Sequence, residues 1–174
     1  RARDFETTIT LSSQVLAETA DDPVALYLRA SARVEQGIAR RDAQLIRAGV
    51  EDARSAIRQD TAKKPDYYLP YLYGMTHLTR LEQNRAHAET AVTTASRLLQ
   101  RTDLQPAIKA NLLYQRGGAR VQLQQHEPAA GDFRAALDLD STHLAARMAL
   151  SDALVAAGDF AGAQKSLDQA VASF

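Results

Sequence analysis

Four histidines, His77, His87, His126 and His143, are the first residues to test for chemistry in this 174-residue chain. No two of them stand at a helical metal-binding spacing beside a ligand carboxylate, and no HExxH occurs. Cysteine is absent, which removes disulfides, thiolate metal sites and cysteine nucleophiles together. The serines lie in helical contexts without a nucleophile elbow around them. Gly117-Gly118 stands between Tyr114 and Val121 in a helical stretch, without the strand, lysine and loop spacing of a phosphate cradle. Its better reading is a close helix contact at Gly117 and a hollow at Gly118. The residues therefore predict no catalytic centre, no cofactor and no metal, and the expectation is a chain that is not an enzyme.

Binding chemistry is more promising. Arg40-Arg41, Lys63-Lys64 and the stretch from Arg116 to Arg120 are local basic spots, but no aromatics are interleaved with them. The 21 Lys plus Arg are balanced by 21 Asp plus Glu, so the footprint for nucleic acid or an anionic membrane surface is missing. No apolar run approaches the roughly 20 residues of a bilayer span. The expectation is no nucleic-acid partner and no membrane insertion, and the compartment is not legible. Arg outnumbers Lys 17 to 4, a skew that GC-rich coding produces without function. The tyrosines carry more information: Tyr67, Tyr68, Tyr71 and Tyr73 crowd into the first turns of one helix. Four tyrosines within seven residues go around a helix and cannot all be core. Tyr73 precedes Gly74 and is expected inside, whereas Tyr68 and Tyr71 fall on another face. The same crowding also suits the covering of an irregular junction.

The elements that must position these residues are helical. There are 33 Ala against 8 Gly and 5 Pro, a bias toward the best helix former. Stop and start signals predict nine helices near 4–19, 23–36, 42–59, 67–82, 85–100, 104–124, 128–138, 142–157 and 159–173. Asp22-Pro23 is a side-chain cap ahead of a first-turn proline. Pro65-Asp66 and Thr102-Asp103-Leu104-Gln105 offer further starts, the second with capping-box spacing. Glu127-Pro128 and Gly158-Asp159 mark turns. Short connections make neighbouring helices antiparallel.

Self-similarity organises these helices. Gly117 and Ser151, Ala129 and Ala163, Phe133 and Leu167, Ala136 and Ala170, and Leu137 and Val171 all pair at a spacing of 34 residues. Upstream, Ser31, Gly74 and Gly117 are spaced by 43. The stretch Leu150, Ser151, Leu154, Gly158, Asp159, Phe160, Ala163, Leu167, Ala170, Val171 resembles the tetratricopeptide repeat family. Residues 110–140 match next best; Arg116 and Arg120 depart from the pattern where the family has apolar or aromatic residues, and Ser141 replaces its closing proline. Residues 24–60 and 67–100 are looser, and a HEAT or armadillo unit competes there. The resemblance implies an all-α, right-handed solenoid of antiparallel helix pairs over 1–174: a half repeat at 1–22, then pairs at 23–60, 66–101, 104–141 and 142–174.

It also implies a role: a protein-interaction module that takes a protein or peptide in a concave groove lined by first helices. The wall would run through Leu28 and Arg29, then Tyr68, Tyr71 and Met75, then Asn111, Tyr114 and Gln115, then Met148 and Asp152. Tyrosines and methionines would supply adaptable apolar area, and Arg29, Asn111, Gln115 and Asp152 fixed polar contacts. The lysine and asparagine clamp of chaperone-binding members is missing, since Leu28 and Ala32, then Tyr71 and Met75, stand in its places. The competing roles are a scaffold that self-associates through an exposed N-terminal end, and a docking segment of a larger enzyme.

The two ends differ. Phe160, Ala163, Leu167, Ala170, Val171 and Phe174 form a stripe expected to face the last helix's own repeat, with Lys165, Asp168, Gln169 and Ser173 outward, as in a terminal cap. In the first helix Phe5, Ile9, Ser12, Val15 and Leu16 are expected inward, and Leu11 lies off the stripe. The expectation is a natural chain that continues upstream with a helix packing on Phe5, Ile9 and Leu11.

Overall fold

The computed structural model describes residues 5–171, with side chains described through residue 168. Phe174 and Ser173, and the side chains of Gln169, Ala170 and Val171, which the sequence assigns to the last helix's two faces, lie outside what is described. Among the described residues there are nine α-helices and no strand: α1 Phe5–Glu18, α2 Pro23–Arg40, α3 Ala43–Gln59, α4 Tyr68–Leu81, α5 Arg85–Leu98, α6 Pro106–Gln122, α7 His126–Leu139, α8 Leu144–Ala156 and α9 Phe160–Val171. The fold is all-α and built from helix pairs, as in a solenoid. The chain divides into two compact units, with the boundary between His87 and Ala88.

Caps explain most boundaries. Asp22 accepts from the amide of Ala25 at 2.6 Å and Pro23 opens α2. Asp42 accepts from the amides of Gln44 and Leu45 at the start of α3. Two expectations need correction. α2 does not stop before Gly37 but runs to Arg40, because Gly37 is a contact point: a Cβ there would lie 2.7 Å from Ile46. The helix ends instead at Arg41, whose left-handed backbone (φ 55°) turns its amide onto the Gly37 and Ile38 carbonyls. The Thr102 to Gln105 capping box does not form either. Asp103 is held by the guanidinium of Arg101, and α6 starts at Pro106 without a side-chain cap.

In the first unit, α2, α3 and α4 meet through small residues. A Cβ on Gly49 would lie 2.7 Å from Val34 and 2.9 Å from the Ala30 carbonyl, and one on Gly74 would lie 2.5 Å from Val50. Val34, Ile46 and Leu72 are fully buried around these approaches. A second cluster joins Leu16 of α1 to Ala25, Leu26, Ala56 and Tyr67, with Tyr27 stacked on Tyr67 at 5.0 Å.

In the second unit, Phe133 of α7 is the largest fully buried side chain and lies against Gly117 of α6, where a Cβ would come within 2.5 Å of its ring. Leu150, Ala153 and Leu154 of α8 and Ala163 of α9 complete that core. The expected inward stripe of α9 is displaced: Ala163 and Ser166 are buried, while Phe160 is 68% exposed and Leu167 48% exposed. Ala163 packs with Leu150, Ala153 and Leu154 of α8, and the larger side chains stand on the exposed side of α9. In α1, likewise, Ser12 and Leu16 are buried but Val15 is exposed, and Phe5 and Ile9 are half-buried.

Candidate functional site

All ten residues expected to line a binding wall stand on first helices, but their surroundings sort them sharply. In the first unit Leu28 is exposed and Tyr68 half-buried, whereas Tyr71 and Met75 are buried. The expected accessible face at Tyr71 is therefore corrected. Its ring turns inward beneath the guanidinium of Arg54, 5.6 Å from the ring centroid. Tyr73, expected inside, is half-buried and edge-on to His77 at 4.6 Å. Burial, with Arg80 adding repulsion, pushes the His77 imidazole below its ordinary pKa.

In the second unit Met148 and Asp152 are exposed, and Asn111, Tyr114 and Gln115 are half-buried. Asn111 donates to the carbonyl of Ala107 in its own helix. Tyr114 ties three helices together, with its ring 5.9 Å from Phe133 of α7 and 5.0 Å from His143, the residue that caps α8. Burial raises its phenol above the usual range. Leu144, Met148, Asp152 and Val155 then lie three and four residues apart along α8, all exposed. They form an amphipathic stripe with no partner inside the described residues of this unit.

Arg29 is not free to greet a ligand. Its guanidinium forks onto Asp52 of α3 at 2.9 and 2.7 Å, Arg33 one turn later reaches the same carboxylate at 2.7 Å, and Arg29 also donates to Ser13 of α1. The second unit repeats the arrangement. Arg116 forks onto Asp132 of α7, Arg120 adds a bond at 2.7 Å, and Arg116 donates to Ser96 of α5. The departures from the repeat pattern at Arg116 and Arg120 thus have a cause: each buried carboxylate needs two cations from the facing helix. The same geometry removes these arginines from the basic spots open to a ligand.

The sequence carries a signal for this clamp that a search at one period overlooks. Arg29-Ala30-Ser31-Ala32-Arg33-Val34 and Arg116-Gly117-Gly118-Ala119-Arg120-Val121 agree at Arg, Ala, Arg and Val. They lie 87 residues apart, while Asp52 and Asp132 lie 80 apart. A single fixed period misses the match because the α2–α3 hairpin is longer: α2 runs on to Arg40 after Val34, whereas α6 stops at Gln122.

No group of three or more His, Asp or Glu side chains converges as a metal site among the described residues. No helix among them is long and apolar enough to cross a membrane.

Residues 120–174 match the family described as Tetratricopeptide repeat. Residues 120–174 carry a tetratricopeptide repeat. No curated protein sequence matches it. Among solved structures, the tetratricopeptide protein TTC0263 of the bacterium Thermus thermophilus is similar over 95% of this chain and 83% of its own, with a TM-score of 0.75 at 23% identity. MamA is similar over 97% of this chain and 87% of its own, with a TM-score of 0.68 at 15% identity. At such identities the likeness is one of fold. Tetratricopeptide folds are in general protein-interaction modules and non-enzymatic scaffolds.

Proposed function

We propose that this tetratricopeptide chain docks a peptide or partner segment on its first helices, with the α8 stripe of the second unit as principal anchor. The observation that carries the reading is Met148, 61% exposed between Leu144 and Asp152 on a helix whose other faces are packed. A methionine adapts its shape to an apolar partner, and Asp152 supplies a fixed acceptor one turn on. Leu28 offers a comparable apolar contact on α2. Tyr71, Met75 and Arg29 serve the fold in this reading, since burial or ion pairing already occupies them. Quantitative affinity capture from the native source, wild type against Met148→Glu, tests it. The partner retained by wild type should be lost from the variant, while its helical content and melting temperature stay the same. Equal capture by both would refute the α8 anchor.

A further inference from the structure

The basic spots along the chain meet different fates in the structure. Arg116 and Arg120 are spent on Asp132, and the Lys64 ammonium lies over the Tyr67 ring at 5.7 Å. Arg40-Arg41 is different. Both side chains are exposed at the α2–α3 turn, and no ion pair among the described residues uses either. The α4–α5 turn adds Arg80 and Arg85, exposed and likewise without an acid partner. The two turns share one end of the first unit. There α2 and α4 both pack on α3, and Nε of Arg47, one turn into α3, lies 2.8 Å from Oε1 of Glu82 at the end of α4, an ion pair without the alignment of a hydrogen bond. The acids of this end are already engaged: Glu82 also holds His87 at 2.9 Å, and Asp42 accepts from the amides of Gln44 and Leu45. Four guanidinium groups are left exposed around a neutralised centre.

The fold does not require these charges. Arg41 stands in the left-handed region (φ 55°), and the same backbone is held by the neutral Gln83 (φ 52°) after α4 and Gln124 (φ 63°) after α6. Arg85 is the first residue of α5, where the positive end of the helix dipole repels a cation. Only Arg40 and Arg80, in the last turns of α2 and α4, suit the dipole. The corresponding end of the second unit is an internal control. Its turns after α6 and α8 read Leu123-Gln124-Gln125 and Ala157-Gly158-Asp159, without Lys or Arg, and both helix pairs form. The four arginines thus go beyond what such a pair needs to fold, in a chain whose net charge is zero.

We propose that this end of the first unit, bearing Arg40, Arg41, Arg80 and Arg85, is a docking surface for an acidic segment of a partner protein, distinct from the α8 stripe. Guanidinium groups fork onto carboxylates, so an extended run of Asp and Glu finds donors at both turns. Neither turn has a Tyr or Phe on which a base could stack, which favours carboxylates over nucleic acid. The opposite end of the unit is a poor occupant for a second copy to offer: Asp22 and Asp60 accept from backbone amides there, and Lys63 and Lys64 follow Asp60.

The probe is a fluorescently labelled peptide of alternating Asp and Glu, titrated with the whole chain by fluorescence anisotropy. Saturable binding is expected, weakened about tenfold or more by Arg41→Gln with Arg85→Gln and also by raised salt. The pair Arg40→Gln with Arg80→Gln should act alike. Lys109→Gln with Lys165→Gln removes the same charge from the second unit and should leave binding within about twofold of wild type. Met148→Ala should bind as wild type does, which separates this surface from the α8 stripe. Gln already serves the left-handed position at 83 and 124, so circular dichroism and the melting temperature of the Arg41 and Arg85 pair should be unchanged. Absence of saturable binding, equal loss in the arginine and lysine pairs, or tighter binding of a labelled uridine oligonucleotide through the same arginines would overturn the proposal. Sedimentation velocity closes the remaining route: wild-type self-association that disappears in the Arg41 and Arg85 pair would make the occupant a second copy and overturn it as well.

Discussion

Arg116 grips Asp132 through both carboxylate oxygens, Nη2 2.6 Å from Oδ1 and Nε 3.0 Å from Oδ2, while the aspartate itself is 3% exposed. A carboxylate this deeply buried is tolerable only because Arg120 arrives at the same group from one turn further along α6. The carboxylate thereby ties α7 to two successive turns of α6.

Removing one partner of such a network strands the others. Asp132→Ala should destabilise the chain by about 3 to 5 kcal/mol in urea denaturation. The triple replacement Asp132→Leu, Arg116→Met, Arg120→Leu should recover most of that loss, because no buried charge is left unpaired. A triple variant as unstable as the single one would show that the network does more than satisfy its own charges.

Two glycines in adjacent helices should respond in opposite senses. Gly117→Ala forces a methyl into the Phe133 ring and should cost about 1 to 3 kcal/mol. Gly131 of α7 has open space where its Cβ would stand, so Gly131→Ala should gain up to about 1 kcal/mol of helix propensity. Thermal denaturation of the two variants side by side checks the contrast.

How far the sequence discloses this fold depends on how local each signal is. The helices were legible because proline, Asp22 and Gly158 act within one turn. The packing role of Gly117 was legible too, since a glycine in a helix that neighbours an aromatic-bearing helix has few other uses. What escaped was set by distance along the chain. That Ala163 and Ser166 are the covered positions of α9, and Phe160 and Leu167 the exposed ones, is set by how α9 lies on the rest of the unit, which no spacing within α9 reveals. Tyr71 and Tyr73 differ by two positions, and only the placement of α3 decides which ring is covered. Asp132 looks like any surface aspartate until α6 brings two arginines onto it.

Tyr71 belongs to the core in this account. Tyr71→Ala should lower stability by about 3 kcal/mol, as truncation of a buried aromatic does. A variant that melts with wild type would return that ring to the surface.

Acid should weaken the first unit through His77. Burial holds its imidazole below the ordinary value of 6.5, so the unfolded chain binds the proton more readily than the folded one. Stability from neutral His77 is complete above 6.5 and is lost as pH falls through the lower folded value. The melting temperature of wild type should therefore drop more than that of His77→Phe between about pH 7.5 and about pH 5. Parallel pH profiles for the two proteins would contradict this.

The most direct test of the interaction surface places a photoreactive side chain at position 148 on α8 and, as a control, at position 131 on α7, both exposed. Illumination in native extract should yield a discrete protein adduct from position 148 and none from position 131. Adducts of equal yield from both positions, or from 131 alone, would contradict docking on the α8 stripe.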